Sequence, residues 1–276
     1  MAHGYQKQKN FSRHQRTHTE LFQKRNTALF LDFDGTLAEI ADHYKNATIL
    51  KESKKLLKAI ASTPECLVAI VSGRALSDVK KRVGLKNIVY AGNHGLEIEG
   101  AGIKYTTFVK PSIKNLLKKI LHDLAGKIGS IPGILLEDKT LTLSIHFRKV
   151  KKQDMLIFQK LLRETMAPYL KAKRVTMLGG KKVFEIKPVV DWDKGKAVMW
   201  LLERFSQNKY EKKIYPVFIG DDVTDETAFK ALKGKGLCIR VGKNETSSAP
   251  YYLRNTEQVA KFLRIVLNSR TRHHQN

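Results

Sequence analysis

Two aspartates one residue apart, Asp32 and Asp34, stand at the end of an apolar run and directly before Gly35-Thr36. The run Ala28 to Leu31 reads as a fully buried strand. Strand side chains alternate between faces, so Asp32 and Asp34 are expected to share one across Phe33. Two carboxylates on one face repel, and burying them unpaired would cost about 3–5 kcal/mol. A hard divalent cation with oxygen ligands answers that cost. A lone Asp-x-Asp would be the strand-end turn that Asp, Gly and Thr favour. Asp-x-Asp-Gly-Thr behind an apolar strand is rarer, and it marks a site.

Three more polar clusters follow the same logic. Ser72-Gly73-Arg74 follows the apolar run Cys66–Val71, and Gly220-Asp221-Asp222-Val223-Thr224-Asp225 follows Ile214–Ile219. Trp192-Asp193-Lys194-Gly195-Lys196 opens a helix. Taken singly, each has a plainer reading. Ser72-Gly73-Arg74 is a strand-to-helix turn, Asp221, Asp222 and Asp225 are a helix cap with first-turn acids, and Lys194 is one of many solvated lysines. In open parallel sheets, however, ligands bind just outside the carboxyl ends of the strands. Metal-ligating acids, a hydroxyl, helix N-termini and a lysine on one rim suit a phosphate. No Gly-x4-Gly-Lys-Ser/Thr loop is present. The combination points to phosphoryl transfer through an aspartyl phosphate.

The elements that must hold these clusters alternate. Helical periods over 50–60, 75–83, 195–205, 225–232 and 259–267 separate apolar strands at 28–31, 66–71, 87–91, 214–219 and 236–241. That rhythm implies right-handed crossovers and a parallel sheet. Between them, 109–188 changes character. Helices over 111–127 and 154–170 mix with β segments in 135–149, including the alternating 140–147, and with a Gly-Gly hairpin between 174–178 and 183–187. The expected organisation is an α/β core of the Rossmann-like, parallel-sheet kind over 27–108 and 189–268. It is interrupted by an inserted α+β module over 109–188. Residues 1–26 form a basic leader expected to be disordered or partly helical, and 269–276 a basic tail. The His14-x3-His18 spacing lacks the paired cysteines of a zinc finger.

The 276 residues carry 51 Lys+Arg against 26 Asp+Glu, a formal net charge of +25. Within 109–188 there are 18 basic and 6 acidic residues, so nearly half of the excess lies in the insertion. Such a surface favours anionic partners. A nucleic-acid-binding protein is one alternative that the charge and the histidine-bearing leader raise, but base-stacking aromatics are not interleaved with the basic residues. Most of the charge therefore reads as solvated surface around a specific anion site, with no specific nucleic-acid partner. No apolar stretch reaches the length of a membrane span, and the leader has no signal-peptide core. Cys66 and Cys238 lie in apolar runs as small core hydrophobes. A monomer in the cytosol is expected.

These motifs resemble the haloacid dehalogenase-like phosphatase superfamily, whose four motifs match Asp32-x-Asp34, Ser72, Lys194 and Gly220-Asp221-x3-Asp225. Gly92-Asn93-His94-Gly95-Leu96-Glu97 resembles the superfamily's trehalose-6-phosphate phosphatase branch. So do, in the insertion, Glu137-Asp138-Lys139, His146-Phe147-Arg148 and Glu185-Ile186-Lys187-Pro188. The resemblance spans roughly residues 27 to 267 and implies a C2-type cap in the insertion. It implies Mg2+, Asp32 as nucleophile, and Asp34 as general acid and then base. Ser72 and Lys194 would hold the phosphoryl oxygens. Asp32, Asp221 and the backbone carbonyl of Asp34 would hold the metal, with Asp222 and Asp225 behind them. Arg74, Asn93, His94, Glu137, Lys139, Arg148 and Glu185 would bind the sugar, with the cap closing to exclude water. Lys187 departs from an arginine often found in such enzymes, losing bidentate geometry. The core motifs equally admit a sibling enzyme for another sugar phosphate, such as sucrose 6-phosphate or mannosyl-3-phosphoglycerate.

Overall fold

The computed structural model of the chain describes residues 8–207 and 213–271. The chain divides into two compact units, Met1–Thr106 with Trp192–Asn276, and Thr107–Asp191. In chain order the first unit runs β1 (Lys9–Asn10), α1 (Gln15–Lys24), β2 (Asn26–Leu31), α2 (Lys51–Ala61), β3 (Cys66–Val71), α3 (Leu76–Val83), β4 (Val89–Gly92), β5 (Glu97–Gly100) and β6 (Ile103–Thr106). The second unit holds α4 (Pro111–Ile128), β7 (Leu135–Asp138), β8 (Leu143–His146), α5 (Met155–Lys171), β9 (Val175–Gly179) and β10 (Val183–Pro188). The first resumes with α6 (Lys194–Gln207), β11 (Ile214–Gly220), α7 (Glu226–Ala231), β12 (Leu237–Val241), β13 (Tyr251–Leu253) and α8 (Thr256–Thr271).

The first unit's sheet has the order β1-β13-β12-β11-β2-β3-β4-β5-β6. Its pairs are parallel from β1 through β4, and β5 and β6 add an antiparallel edge. Alternation within single strands feeds two cores. Leu29 and Leu31 of β2 pack with Leu57, Val79 and Phe262 on one face. Ala28 and Phe30 pack with Val198, Leu201 and Phe229 on the other. Covered on both faces, β2 is buried along its whole length, as a central strand of a doubly wound sheet must be. The expected core, a parallel sheet wound by helices, is what folds. The second unit is a four-stranded antiparallel sheet, order β7-β8-β10-β9. One of its faces, with Leu143, Ile145 and Ile186, packs on Leu117, Ile120 and Leu124 of α4 and Phe158 and Leu162 of α5.

The basic leader differs from its expectation. From Gln8 onward it is part of the first unit. The Gln8 amide donates to the Ala249 carbonyl at 3.0 Å, and its oxygen accepts from the Asn244 N–H at 2.9 Å. Phe11 and Phe22 are buried, their rings 5.1 and 5.9 Å from that of Phe262. Two aromatics eleven residues apart set up no hydrophobic period, so the segment reads as polar although both rings are core. The expected tail also begins late, because α8 continues through 269 and 270. Ser269 and Arg270 are buried, and Arg270 donates to the Arg25 carbonyl at 2.6 Å. Residues 1–7 and 272–276 lie outside the described residues.

Truncation of Phe22 empties a closed site between α1 and α8. Phe22→Ala is expected to destabilise the protein by about 3–5 kcal/mol, read as a lowered midpoint in urea unfolding. A leader that was merely appended would leave that midpoint where it was.

Candidate active site

β2 and β11 are neighbours in register, Ile219 beside Leu31, so the residues that follow them emerge together. Past β2 the Asp32 N–H still donates to the Ile219 carbonyl at 2.9 Å. The chain then turns. The N–H groups of Leu37 and Ala38 both donate to the Phe33 carbonyl, and Gly35 donates to Ala38. Gly35 has φ +77°, and a Cβ there would lie 1.9 Å from Asp221 Oδ2. Only glycine lets this loop lie against the Asp221 carboxylate. At the end of β11, Gly220 likewise makes room for Asp225, whose carboxylate a Cβ would meet at 2.4 Å.

Lys194, at the first position of α6, carries its charge into this space. Its Nζ donates to Asp32 Oδ1 at 2.8 Å and to Asp225 Oδ1 at 2.7 Å. The other Asp225 oxygen accepts from the N–H groups of Asp221 and Asp222, both at 2.9 Å. Asp222 closes a reciprocal capping box with Asp225. Carboxylate oxygens of Asp32, Asp221 and Asp225, all buried, lie within 4.8 Å of one another. Burial pushes the Asp32 carboxyl well above the usual carboxylate range; Lys194 pulls it back, and Asp225 and Asp221 push it further up. Burial alone would lower Lys194, but Asp225 and Asp32 outweigh it and hold the ammonium charged. Three carboxylates around one ammonium are short of positive charge. A divalent cation with oxygen ligands fits this donor set. Asp225 has both oxygens engaged by Lys194 and the two N–H groups, which leaves Asp32 and Asp221 as the carboxylates suited to a metal.

Asp34 departs from the shared-face expectation. The strand ends at Leu31, so strand alternation does not carry through to Asp34. Its carboxylate meets Arg74 in a bidentate pair, Nε to Oδ2 and Nη2 to Oδ1, both 2.6 Å. Arg74, expected on the sugar, also donates from Nη1 to Asp78 Oδ2 at 2.7 Å and from Nη2 to the Tyr44 carbonyl at 2.9 Å. Four of its five N–H bonds are thereby used within the first unit. Ser72 is buried, its hydroxyl accepting from the Arg74 N–H at 3.2 Å.

Asn93 and His94 lie in a tight turn with φ +49° and +59°. That turn buttresses the Ser72 loop: the Asn93 N–H donates to the Arg74 carbonyl at 2.7 Å and the His94 N–H to that of Ser72 at 2.9 Å. The Asn93 amide donates to Glu97 at 2.7 Å. Gly73 makes room here too, since a Cβ would fall 2.8 Å from the His94 ring.

In the second unit, Glu137 and Glu185 both stand opposite Ser144, in one row across three strands. Glu137 pairs with His146 Nε2 at 2.8 Å, and Glu185 accepts from Lys139 Nζ at 2.9 Å and from the Thr142 hydroxyl at 3.4 Å. Arg148 donates to the Lys181 carbonyl at 2.8 Å at an exposed position. Lys187 stands opposite Thr176.

Sequence reasoning missed Asp78, Arg82 and Arg240. Arg74, Asp78 and Arg82 follow the i, i+4 spacing that joins charges across helical turns, a signal present in the sequence. Arg240 interrupts the apolar run of β12; it donates to the Asp221 carbonyl at 2.6 Å and to Glu226 at 3.1 Å.

A parallel sheet with these carboxylates at the ends of two neighbouring strands, and an α+β unit inserted, is the fold of the haloacid dehalogenase-like phosphatases. The C-terminal domain of Candida albicans trehalose-6-phosphate phosphatase has it: the structures align with TM-score 0.77 at 20% identity, over 97% of this chain and 99% of that one. The chain belongs to the trehalose-phosphatase family, whose model matches residues 30–258. It is 35% identical over 240 residues to the trehalose-phosphate phosphatase of Mycobacterium marinum, covering 85% of this chain and 60% of that protein. It is 35% identical over 260 residues to probable trehalose-phosphate phosphatase H of Arabidopsis thaliana, covering 88% of this chain and 72% of that one. The chain thus spans less than two thirds of the mycobacterial relative's length.

Removing Lys194 leaves the buried carboxylates facing one another. Lys194→Ala is expected to cost about 3–5 kcal/mol in denaturant unfolding with chelator present. Adding a divalent cation should restore part of the loss by binding the folded state. No recovery with any divalent ion would count against a metal at these aspartates.

Proposed function

We propose that the chain hydrolyses trehalose 6-phosphate to trehalose and inorganic phosphate, with Mg2+ as cofactor and an aspartyl phosphate as intermediate. The observation that carries this reading is the buried contact of Lys194 with Asp32, beside Asp221 and Asp225, in a chain of the trehalose-phosphatase family.

In this reading an Asp32 oxygen attacks phosphorus in line, and the bond from phosphorus to the sugar oxygen breaks. Asp34, carrying the proton it took in the preceding turnover and so pairing with Arg74 through one oxygen, gives that proton to the leaving oxygen. A water then attacks the acyl phosphate, Asp34 takes its proton, phosphate leaves, and the Asp32 carboxylate is restored. Lys194 and Ser72 hold phosphoryl oxygens where charge accumulates. Asp32, Asp221 and the Asp34 backbone carbonyl would hold Mg2+, which would supply the charge that lets a carboxylate approach a phosphate dianion. Asp225, bonded to Lys194 and to the 221–222 backbone, fixes both from behind, and Asp222 caps the same loop.

The substrate-binding roles fall to Glu137, Lys139 and Glu185. A row of part-buried carboxylates with a buried ammonium, flanked by the hydroxyls of Thr142 and Ser144, suits a ligand made of hydroxyl groups. Arg148, His94 and Asn93 are weaker candidates, because Arg148 turns one N–H to the Lys181 carbonyl and the other two brace the Ser72 loop. Among the described residues no helix is long and apolar enough to cross a membrane. Cys66 and Cys238 are free and buried, which is compatible with a cytosolic setting.

Phosphate release tests the substrate. Trehalose 6-phosphate should be turned over far faster than glucose 6-phosphate, sucrose 6-phosphate or mannosyl-3-phosphoglycerate, and a chelator should stop it. Equal rates across the panel would remove the trehalose assignment. Asp32→Asn should abolish release while calorimetry still detects the sugar phosphate; turnover in that variant would remove the covalent step. Lys139→Ala should raise KM for trehalose 6-phosphate by about 10-fold or more, leaving p-nitrophenyl phosphate hydrolysis within about twofold.

A further inference from the structure

Around Asp34 lies a second set of charges that the reaction as drawn leaves unused. Arg74 is buried, with its guanidinium carbon 5.2 Å from the ring centroid of Phe33, the residue between Asp32 and Asp34. The planar fork has two anionic partners, Asp34 on one side and Asp78 on the other. Asp78 stands in the first turn of α3, and its Oδ2 accepts from Arg74 Nη1 at 2.7 Å and from Arg82 Nε at 2.8 Å. Arg82 is anchored in turn, donating from Nη1 to the carbonyls of Lys45 at 3.0 Å and Ala47 at 2.7 Å. The chain of contacts therefore runs from the loop after Asp34, through Arg82, Asp78 and Arg74, back to the Asp34 carboxylate.

From this geometry we infer that Asp78 is a positioning residue for the reaction: it fixes the plane of the Arg74 guanidinium, and through Arg74 the direction of the Asp34 carboxylate. The inference rests on the reading of Asp34 as the acid that protonates the leaving oxygen. A guanidinium held on one side only can pivot about its long stem. Held by carboxylates at both ends, by the Tyr44 carbonyl on Nη2, and lying over Phe33, it presents its Nε and Nη2 edge in one orientation. Asp34 itself is the most exposed partner, its side chain 40% accessible against 8% for Arg74 and 26% for Asp78. It gains its orientation from the pair rather than from packing. Burial raises the Asp78 carboxyl, but Arg82 and Arg74 outweigh it and hold the group below its usual range, so the anchor remains charged. Proton delivery is steep in geometry, so loosening Asp34 slows the steps that need its proton and spares the step that does not.

Leaving groups separate those steps. An aryl phosphate such as p-nitrophenyl phosphate departs as a stable anion and needs no proton from Asp34 in the transfer to Asp32, whereas a sugar oxygen does. The experiment is rapid mixing of the full-length chain with Mg2+, comparing wild type with Asp78→Asn and Arg82→Gln. The burst of p-nitrophenol counts competent sites, so a misfolded fraction lowers its amplitude without changing its rate. Asp78→Asn should slow the single-turnover transfer from trehalose 6-phosphate by about 10-fold and leave the aryl burst rate within about twofold. Arg82→Gln should act in the same direction with smaller size. Equal slowing on both substrates, or none on either, overturns the inference. If Asp78→Asn gives no burst amplitude, the Arg82→Gln comparison decides by the same criterion. Wild type that releases p-nitrophenol but not trehalose would defeat the substrate reading alone. The comparison would then be made on whichever alkyl phosphate the wild type hydrolyses, and Asp78 is tested there independently.

Discussion

The structure depends on keeping Lys194 charged out of water. An ammonium with almost no solvent contact is tolerable only because Asp32 and Asp225 each lie within hydrogen-bond distance. Those three residues come from the end of β2 and the starts of α6 and α7, with more than 160 residues of chain between Asp32 and Lys194. The two-faced packing of the central sheet is what brings them together. Asp221 and Gly35 complete the arrangement by lying so close that no side chain could occupy the glycine. A site of this density cannot adjust locally, so the two apolar cores on either side of β2 are as much part of it as the aspartates are.

Within that frame, the two aspartates of Asp-x-Asp meet opposite environments. Asp32 is buried against an ammonium and two further carboxylates. Asp34 is part-exposed and gripped by a guanidinium. One is closed off among charges, while the other keeps two fifths of its side-chain surface open to solvent. That divergence over two residues arises because the strand stops at Leu31 and the turn begins at Phe33. Pairs of titratable groups with contrasting surroundings are how one site divides nucleophilic from acid–base work.

That break in the strand also limits what could be seen in the chain. Period-two reasoning puts Asp32 and Asp34 on one face, and it fails because it continues a strand one turn too far. Where elements are long and periodic, as in α4, α5 and the strands of the parallel sheet, the pattern alone finds them, and the four polar clusters land at strand and helix ends as expected. What stayed hidden rests on sparse signals. Phe11 and Phe22 bury a leader that is otherwise polar. β13 has three residues, and β5 and β6 have four each. Arg74 looked like a ligand contact because its type suits one. Its engagement with Asp34 and Asp78 is a tertiary fact, although the i, i+4 spacing to Asp78 hinted at half of it.

The second unit poses the converse problem, in which the residues were legible and their meaning less so. Glu137 with His146, and Lys139 with Glu185, are cross-strand or near-strand pairs that an ordinary exposed sheet could carry for a few tenths of a kcal/mol each. Exposure separates the two cases. Lys139 and Glu185 retain only 7% and 13% of their side-chain surface, and Thr142 and Ser144 beside them are buried. A face that needed only to be stable would gain by replacing such a pair with apolar side chains. A face built to take hydroxyl groups would keep donors and acceptors in fixed directions, even at that cost. In the function proposed above, the polar row as a whole would carry the recognition of hydroxyl groups, more than any one of its residues.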